Sequence, residues 1–191
     1  MEAFLVSTGV VAFAEIGDKT QLLAIVLAAR FRKPLPIILG ILVATLLNHA
    51  AAGALGVWLA NLIGPQGLRW ILGISFIAMA VWTLIPDKYE DQKEASSHLG
   101  VFGATLIAFF LLEMGDKTQI ATIALAAKYH ALAAVVLGTT LGMMVANVPA
   151  VLLGDMAAKK VNMRVVHTIA AVIFLALGAA MLFGVGIDVA G

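Results

Sequence analysis

A six-residue sequence occurs twice in the chain, as Glu-Ile-Gly-Asp-Lys-Thr beginning at Glu15 and as Glu-Met-Gly-Asp-Lys-Thr beginning at Glu113. Both copies lie inside long apolar segments, where ionisable side chains are so costly that they usually serve a function. The flanking residues match as well, since ten of the fifteen positions from 15 to 29 are identical to those from 113 to 127. The chain is therefore an internal duplication, and its chemistry is expected at the duplicated motif.

The composition is that of a membrane protein. Of 191 residues, 62% are hydrophobic and 12% are charged, whereas soluble domains average about half and about a quarter. The net charge of +1 and the lack of a basic cluster argue against a nucleic-acid partner. The chain contains no cysteine, which excludes disulfides, thiolate metal sites and cysteine nucleophiles.

Six apolar segments are long enough to cross a bilayer, given that a helical span needs about 20 residues. Helices are expected because lipid offers no partner to an unpaired backbone group, and no segment shows the alternating pattern of a barrel strand. The predicted fold class is an all-α membrane protein with six transmembrane helices. The predicted spans are residues 3–29, 36–63, 68–85, 100–127, 131–158 and 165–187.

The duplication extends well beyond the motif. At the same offset of 98 residues, Gly40 matches Gly138 and Phe76 matches Phe174, with no gap needed. Each copy is therefore predicted to be a three-helix repeat, and the charged segment between them is interpreted as a solvated connector, with a regulatory loop as the alternative. The predicted organisation is one membrane domain over 1–191, made of repeat one at 1–86, a cytoplasmic linker at 87–99 and repeat two at 100–191.

The basic residues predict an orientation for the six spans. Eight of the lysines and arginines outside the motifs fall on one side of the membrane and two on the other, so the positive-inside rule places the eight in the cytoplasm and both termini outside. Because three is odd, the second repeat enters with opposite polarity, which is the inverted-topology architecture of many secondary transporters. The cytoplasmic set is Arg30, Arg32, Lys33, Lys88, Lys93, Lys159, Lys160 and Arg164, and the outer set is Arg69 and Lys128.

Each motif places two carboxylates near the middle of a span. On a continuous helix the glutamate and the aspartate, three positions apart, share a face, so each motif can offer two oxygen ligands to one point. The glycine between them either lets another helix pack closely or lets the helix open and expose carbonyls. The acids are Glu15, Asp18, Glu113 and Asp116, and the glycines are Gly17 and Gly115.

Other polar residues at membrane depth have two interpretations. The threonines and glutamines that follow each motif lie on other faces of a regular helix, and they either support the cation or bond across helices. Two asparagines and a histidine in the second and fifth spans either line a cation path or make interhelical hydrogen bonds, with the second reading favoured. These residues are Thr20, Gln21, Thr118, Gln119, Asn48, His49 and Asn147.

The charges of the two motifs do not balance. The four acids supply −4 and Lys19 with Lys117 supplies +2, which leaves −2 if all are ionised. A dry apolar centre does not hold that surplus, so either two protons or one divalent cation is expected to bind. The carboxylate, hydroxyl and amide oxygens suit Ca²⁺, Mg²⁺ or Mn²⁺ better than Zn²⁺ or Cu⁺. The alternative is structural, with the motifs serving only as salt-bridge clusters that lock the repeats together.

The doubled Glu-x-Gly-Asp-Lys-Thr motif in a short six-helix chain resembles the family of Golgi and bacterial Mn²⁺/Ca²⁺ exporters, the Gdt-type cation/proton antiporters. The resemblance covers essentially the whole chain. It implies export of a divalent cation coupled to proton entry, with no tightly bound cofactor. Relative to eukaryotic members the chain lacks an N-terminal leader and has a short central loop, so a prokaryotic plasma membrane is expected. The implied cation ligands are Glu15, Asp18, Glu113 and Asp116, with Lys19, Thr20, Lys117 and Thr118 completing the motif.

Three rival functions remain open at this stage. A passive divalent-cation channel could use the same ring of acids. A membrane-embedded metalloenzyme is disfavoured because no histidine base or nucleophile accompanies the motifs, and the internal symmetry suits transport better than a one-sided reaction. An organising subunit without a substrate is the third. We therefore predict a transporter and not an enzyme, whose partners are membrane lipid, the divalent cation and protons.

Overall fold

The structure is a computed structural model, and it describes residues 1–85, 99–153 and 163–184. Most of the predicted linker, the end of the fifth span with Lys159 and Lys160, and the last residues of the sixth span lie outside the described residues. Every regular element in the described residues is a helix. The helices are α1 Glu2–Glu15, α2 Lys19–Phe31, α3 Pro34–Leu62, α4 Pro65–Thr83, α5 Gly100–Glu113, α6 Lys117–Tyr129, α7 Leu132–Leu153 and α8 Met163–Phe183.

The first and fourth predicted spans are not continuous helices, and the structure agrees with the alternative in which the helix opens at the motif glycine. Each is divided into two half-helices by a three-residue break, at residues 16–18 and 114–116. The glycine inside each break has a positive φ, +86° at Gly17 and +78° at Gly115, a conformation that glycine adopts without the penalty of a Cβ. The motif acids therefore do not share one face of a regular helix.

The other predicted boundaries agree with the structure to within a few residues where they are described. Helices α3 and α4 begin slightly earlier than predicted because each starts with a proline, at Pro34 and Pro65. Proline is favoured in the first turn of a helix, where its missing N–H would have had no partner.

In the part of the chain that the structure describes, three helices are long and apolar enough to cross a membrane by themselves, namely Pro34–Leu62, Leu132–Leu153 and Arg164–Phe183. The half-helices are much shorter, with 14 residues in α1 and 13 in α2, so neither of these two is long enough to cross a bilayer by itself. Large apolar side chains such as Leu5, Leu47 and Trp58 are exposed on the outside of the bundle, as expected of a lipid-facing surface. That the chain crosses the membrane six times stays a prediction.

The two repeats pack against each other through equivalent pairs of helices. Helix α3 packs on α5, and its counterpart α7 packs on α1. A Cβ at Gly40 would lie 2.8 Å from Thr105 Cβ, and one at Gly138 would lie 3.0 Å from Ser7 Cβ. Each residue of the second contact is the repeat equivalent of one in the first. Small residues thus let the backbones approach closely at matching places.

Helices α4 and α8 form a third equivalent pair, packed against each other. Near their middle Gly73 and Gly178 face one another, since a Cβ at Gly178 would lie 2.9 Å from the Gly73 carbonyl oxygen. This pair flanks the bundle, whereas the broken helices carry the motifs into its interior.

Candidate cation site

The helix breaks bring the acids of both motifs into the protein interior. Helix α1 ends at Glu15, and Asp18 is the N-cap of α2, where its carboxylate accepts a hydrogen bond of 2.7 Å from the Lys19 backbone N–H. Helix α5 ends in the same way at Glu113, and Asp116 occupies the N-cap position of α6. All four carboxylates are at most 1% exposed, so each is held where an uncompensated charge is costly.

A glutamine closes each break. The Gly17 N–H donates to Gln21 Oε1 at 3.0 Å, and the Gly115 N–H donates to Gln119 Oε1 at 2.7 Å. The glutamines therefore satisfy backbone donors that an unbroken helix would have used internally. The prediction that they lie on other faces of a regular helix was wrong, because the helix is not regular there. Gln21 also donates through Nε2 to the Ala146 carbonyl in α7 at 3.0 Å.

The motif threonines contact the motif glutamates. The Thr20 hydroxyl donates to Glu15 Oε1, and the Thr118 hydroxyl lies 3.5 Å from both Glu113 Oε2 and Asp116 Oδ2. The second oxygen of each glutamate is buried and has no hydrogen-bond partner among the described residues. Such an oxygen is costly to bury, and it is free to act as a ligand.

The lysines form ion pairs that cross between the repeats. Lys19 Nζ lies 3.0 Å from Asp116 Oδ1, and Lys117 Nζ lies 3.2 Å from Asp18 Oδ1. Each lysine thus forms an ion pair with the aspartate of the other motif. The two pairs differ in burial, because the Lys117 side chain is 1% exposed and that of Lys19 is 24% exposed.

Three of the four acids can converge on one point. Single carboxylate oxygens of Glu15, Asp18 and Asp116 lie within 4.8 Å of one another. Glu113 is not part of this group, although it is equally buried. A set of carboxylate oxygens with a nearby threonine hydroxyl fits hard divalent cations, which prefer oxygen ligands. The unpartnered second oxygen of Glu15 fits the same use.

The asparagines and the histidine are buried but are not in this cluster. Asn48 Nδ2 donates to the Phe110 carbonyl in α5 at 3.0 Å. This is an interhelical hydrogen bond of the kind that the favoured interpretation of the sequence predicts. Asn147 Nδ2 donates to the Met143 carbonyl of its own helix at 3.1 Å. Both ring nitrogens of His49 are without a hydrogen-bond partner among the described residues. A role for these residues in a cation path stays a prediction.

One backbone group that contacts the motif was not predicted from the sequence. The Ala146 carbonyl in α7 accepts the hydrogen bond from Gln21, and an alanine carries no signal of such a role. The crossed pairing of the lysines was also not predicted, because it depends on how the two breaks face each other.

Comparison with known families gives one match that covers nearly the whole chain. The matching family is described as "Divalent cation/proton antiporter GDT1", and the matched residues are 3–91 and 101–187. The matched regions contain both copies of the motif and most of both repeats. No significant match was found among solved structures.

Curated relatives come from bacteria and plants. A "Putative manganese exporter" of Vibrio cholerae is 51% identical over 184 residues, covering 96% of this chain and 92% of that protein. A "GDT1-like protein 3" of Oryza sativa subsp. indica is 30% identical over 209 residues, covering 95% of this chain and 74% of that protein. A "GDT1-like protein 5" of Arabidopsis thaliana is 27% identical over 216 residues, covering 93% and 94%.

Proposed function

We propose that this chain, which belongs to the GDT1 family of divalent cation/proton antiporters, exports Mn²⁺ in exchange for protons. Membership of the family supports an integral membrane transporter of divalent cations. The direction, the metal, the exchange mechanism and the residues of the site are parts of the proposal.

The observation that carries the proposal is the convergence of acids from both repeats at the two helix breaks. Glu15 and Asp18 from one motif and Asp116 from the other offer oxygens within 4.8 Å of one another. A cation held there contacts both repeats at once, so binding and movement of the repeats are linked. Broken helices with a binding site at the repeat interface are the usual design of secondary transporters.

The net charge of the site supports exchange of a divalent cation for protons. With Glu113 included, the two motifs carry −4 on acids and +2 on lysines, and all six side chains are partly or wholly buried. One divalent cation or two protons restores neutrality. The apolar surroundings disfavour a site that holds neither the cation nor the protons. The site therefore alternates between these two occupants, and each cycle exchanges one divalent cation for two protons.

Mn²⁺ is the proposed cargo, with Ca²⁺ as the second candidate. The ligands available in the cluster are oxygens, which suit both ions. The relative described as a putative manganese exporter covers almost all of this chain at 51% identity, and this favours Mn²⁺.

Alternating access is proposed from the inverted repeats and the unequal burial of the lysines. If both termini lie outside, α2 leads from the break towards the cytoplasm and α6 leads from the other break outward. Lys19 at the start of α2 is 24% exposed, whereas Lys117 at the start of α6 is 1% exposed. The two lysines of the site are thus unequally covered, as expected of one conformation of a transporter that works by alternating access.

Calorimetry on the purified protein tests the proposed site. Mn²⁺ binding measured in buffers of different ionisation enthalpy counts the protons released, because protons and metal compete for the same oxygens. We expect saturable binding with proton release between acid and neutral pH. Binding without proton release would leave a cation site but would favour the passive channel instead.

A further inference from the structure

The crossed ion pairs use aspartates that also belong to the cation cluster. Asp18 and Asp116 each contribute an oxygen to that cluster, and each also has a lysine ammonium within 3.2 Å of its Oδ1. A Ca²⁺ ion bound at about 2.4 Å to that same Oδ1 would lie no more than about 5.6 Å from the ammonium, and an ion bound to the other oxygen of the carboxylate would still be its close neighbour. Because like charges repel strongly at this distance in a partly buried site, a lysine and a divalent cation compete for the same aspartate.

The two lysines are not equally able to move away from the aspartates with which they pair. Lys117 is 1% exposed and is enclosed by protein, whereas about a quarter of the Lys19 side chain is uncovered. Lysine has a long flexible side chain with a compact charge, so it can swing without movement of the backbone. Lys19 therefore has room to leave Asp116, and Lys117 has none in this conformation.

We propose that Lys19 is a tethered competitor of the transported cation. Its ammonium holds Asp116 when no cation is bound, and an arriving divalent cation displaces it towards its uncovered side. Lys117 stays on Asp18 as a fixed counter-charge. This inference rests on the proposed function, because it concerns the same site, and it assigns different roles to two lysines that the repeat makes equivalent in sequence.

A tethered competitor weakens binding but speeds release. When Lys19 returns to Asp116, it takes over one of the ligands of the cation and so promotes dissociation. Without the ammonium, the cation is expected to bind more tightly and to leave more slowly. Lys19→Gln should therefore raise Mn²⁺ affinity on the order of tenfold at slightly alkaline pH, where protons compete least, while lowering the maximal transport rate. Lys19→Arg keeps the charge and should restore an affinity near that of the wild type.

Amine labelling of the intact protein tests the displacement directly. The full chain in detergent or nanodiscs is treated briefly with an acetylating reagent, with and without Mn²⁺, and the modification of each lysine is measured by mass spectrometry. We expect Mn²⁺ to increase labelling of Lys19 several-fold, to leave Lys117 unlabelled, and to leave the exposed Lys33 unchanged as an internal control. Asp116→Asn should raise Lys19 labelling even without Mn²⁺, because the ion pair is lost.

The outcomes separate this inference from the proposed function. Failure of the wild-type protein to bind Mn²⁺ in calorimetry would overturn the proposed function, and the inference with it. Normal Mn²⁺ binding with unchanged or reduced labelling of Lys19 would overturn the inference alone. A Lys19→Gln variant that binds Mn²⁺ as the wild type does, or more weakly, would also overturn it. In the first case Lys19 would have no effect on Mn²⁺ affinity, and in the second it would support Mn²⁺ binding.

Discussion

Phe76 and Phe174 occupy the same position in the two repeats and stack on each other, with ring centroids 6.3 Å apart and planes inclined at 27°. A residue contacts its own equivalent only where it lies near the axis that relates the two copies. The crossed pairs of Lys19 with Asp116 and of Lys117 with Asp18 have the same reciprocal form. The two halves of the chain therefore make symmetrical contacts in two places, between α4 and α8 and at the helix breaks.

The first prediction concerns the acids. Glu15→Gln, Asp18→Asn and Asp116→Asn should each reduce Mn²⁺ transport to near background, since each removes a charge and a ligand oxygen from the cluster at little cost in shape. Glu113→Gln should also impair transport, through the charge balance, but should reduce Mn²⁺ affinity less than Glu15→Gln because Glu113 is outside the three-acid group. Transport and binding assays on the same preparations compare the four.

Glu2→Gln is the matched control for these variants. Glu2 is an exposed acid in the first turn of α1, where its carboxylate accepts a hydrogen bond from the Tyr129 hydroxyl at 3.2 Å. Neutralising it should leave transport unchanged. Wild-type transport by any two of the four motif variants would contradict the single-site account.

The second prediction concerns the glycines of the breaks. Gly17→Ala and Gly115→Ala force an alanine into a left-handed conformation, which costs about 1–2 kcal/mol of folding free energy and favours a continuous helix. No atom lies within 4 Å of a Cβ built on Gly115, so the effect there is one of backbone conformation and not of crowding. We expect lower thermal stability and loss of transport.

Gly9→Ala provides the control, because Gly9 lies within α1 and a Cβ on it also meets nothing within 4 Å. In a helix interior that change should stabilise the protein by about 0.5–1 kcal/mol. Equal thermal shifts at Gly9 and Gly115 would argue against the break.

The sequence predicted that the motif acids are buried but not the form of the backbone that holds them. The repeated motif and the apolar runs around it predict four acids near the middle of two spans, and in the structure all four are buried and three of them offer oxygens within 4.8 Å of one another. Opening of the helix at the glycines was only one of two alternatives, because the apolar pattern continues through the breaks. A signal was nevertheless present, since Asp18 and Asp116 are good N-cap residues and a glutamine follows each glycine at the spacing that closes the break.

The crossed ion pairs could not be predicted from the sequence. Lys19 lies beside Asp18 in the chain, so local reasoning pairs charges within a motif. Pairing with Asp116 depends on the approach of the two repeats, which is fixed by contacts far along the chain, such as that of Gly40 with Thr105.

The third prediction concerns the packing of the repeats. A Cβ at Gly138 would lie 2.5 Å from the Phe4 carbonyl oxygen, and backbone cannot move aside as a flexible side chain can. Gly138→Ala should therefore separate α7 from α1 and cost about 1–3 kcal/mol of stability. Thermal unfolding in detergent measures this, and a change no larger than that of Gly9→Ala would show that the contact is not tight.

The fourth prediction concerns topology. Lys33 and Ala131 are equivalent positions that precede α3 and α7. In an inverted repeat they face opposite sides of the membrane, and the basic residues place Lys33 in the cytoplasm. In this cysteine-free chain, Lys33→Cys should react with an impermeant thiol reagent only from the cytoplasmic side, and Ala131→Cys only from outside. Reaction of both from one side would contradict the inverted repeat.

The most direct measurement of the central claim is Mn²⁺ flux into proteoliposomes under an imposed pH gradient, with no Mn²⁺ gradient at the start. If the crossed acid site exchanges one divalent cation for protons, an acidic lumen should drive Mn²⁺ uptake until the Mn²⁺ concentration inside exceeds that outside. Asp116→Asn should abolish that uptake. Collapse of the pH gradient should release the accumulated Mn²⁺. No net Mn²⁺ uptake under the pH gradient, together with flux that only dissipates a Mn²⁺ gradient imposed in a second experiment, would contradict exchange and identify a channel.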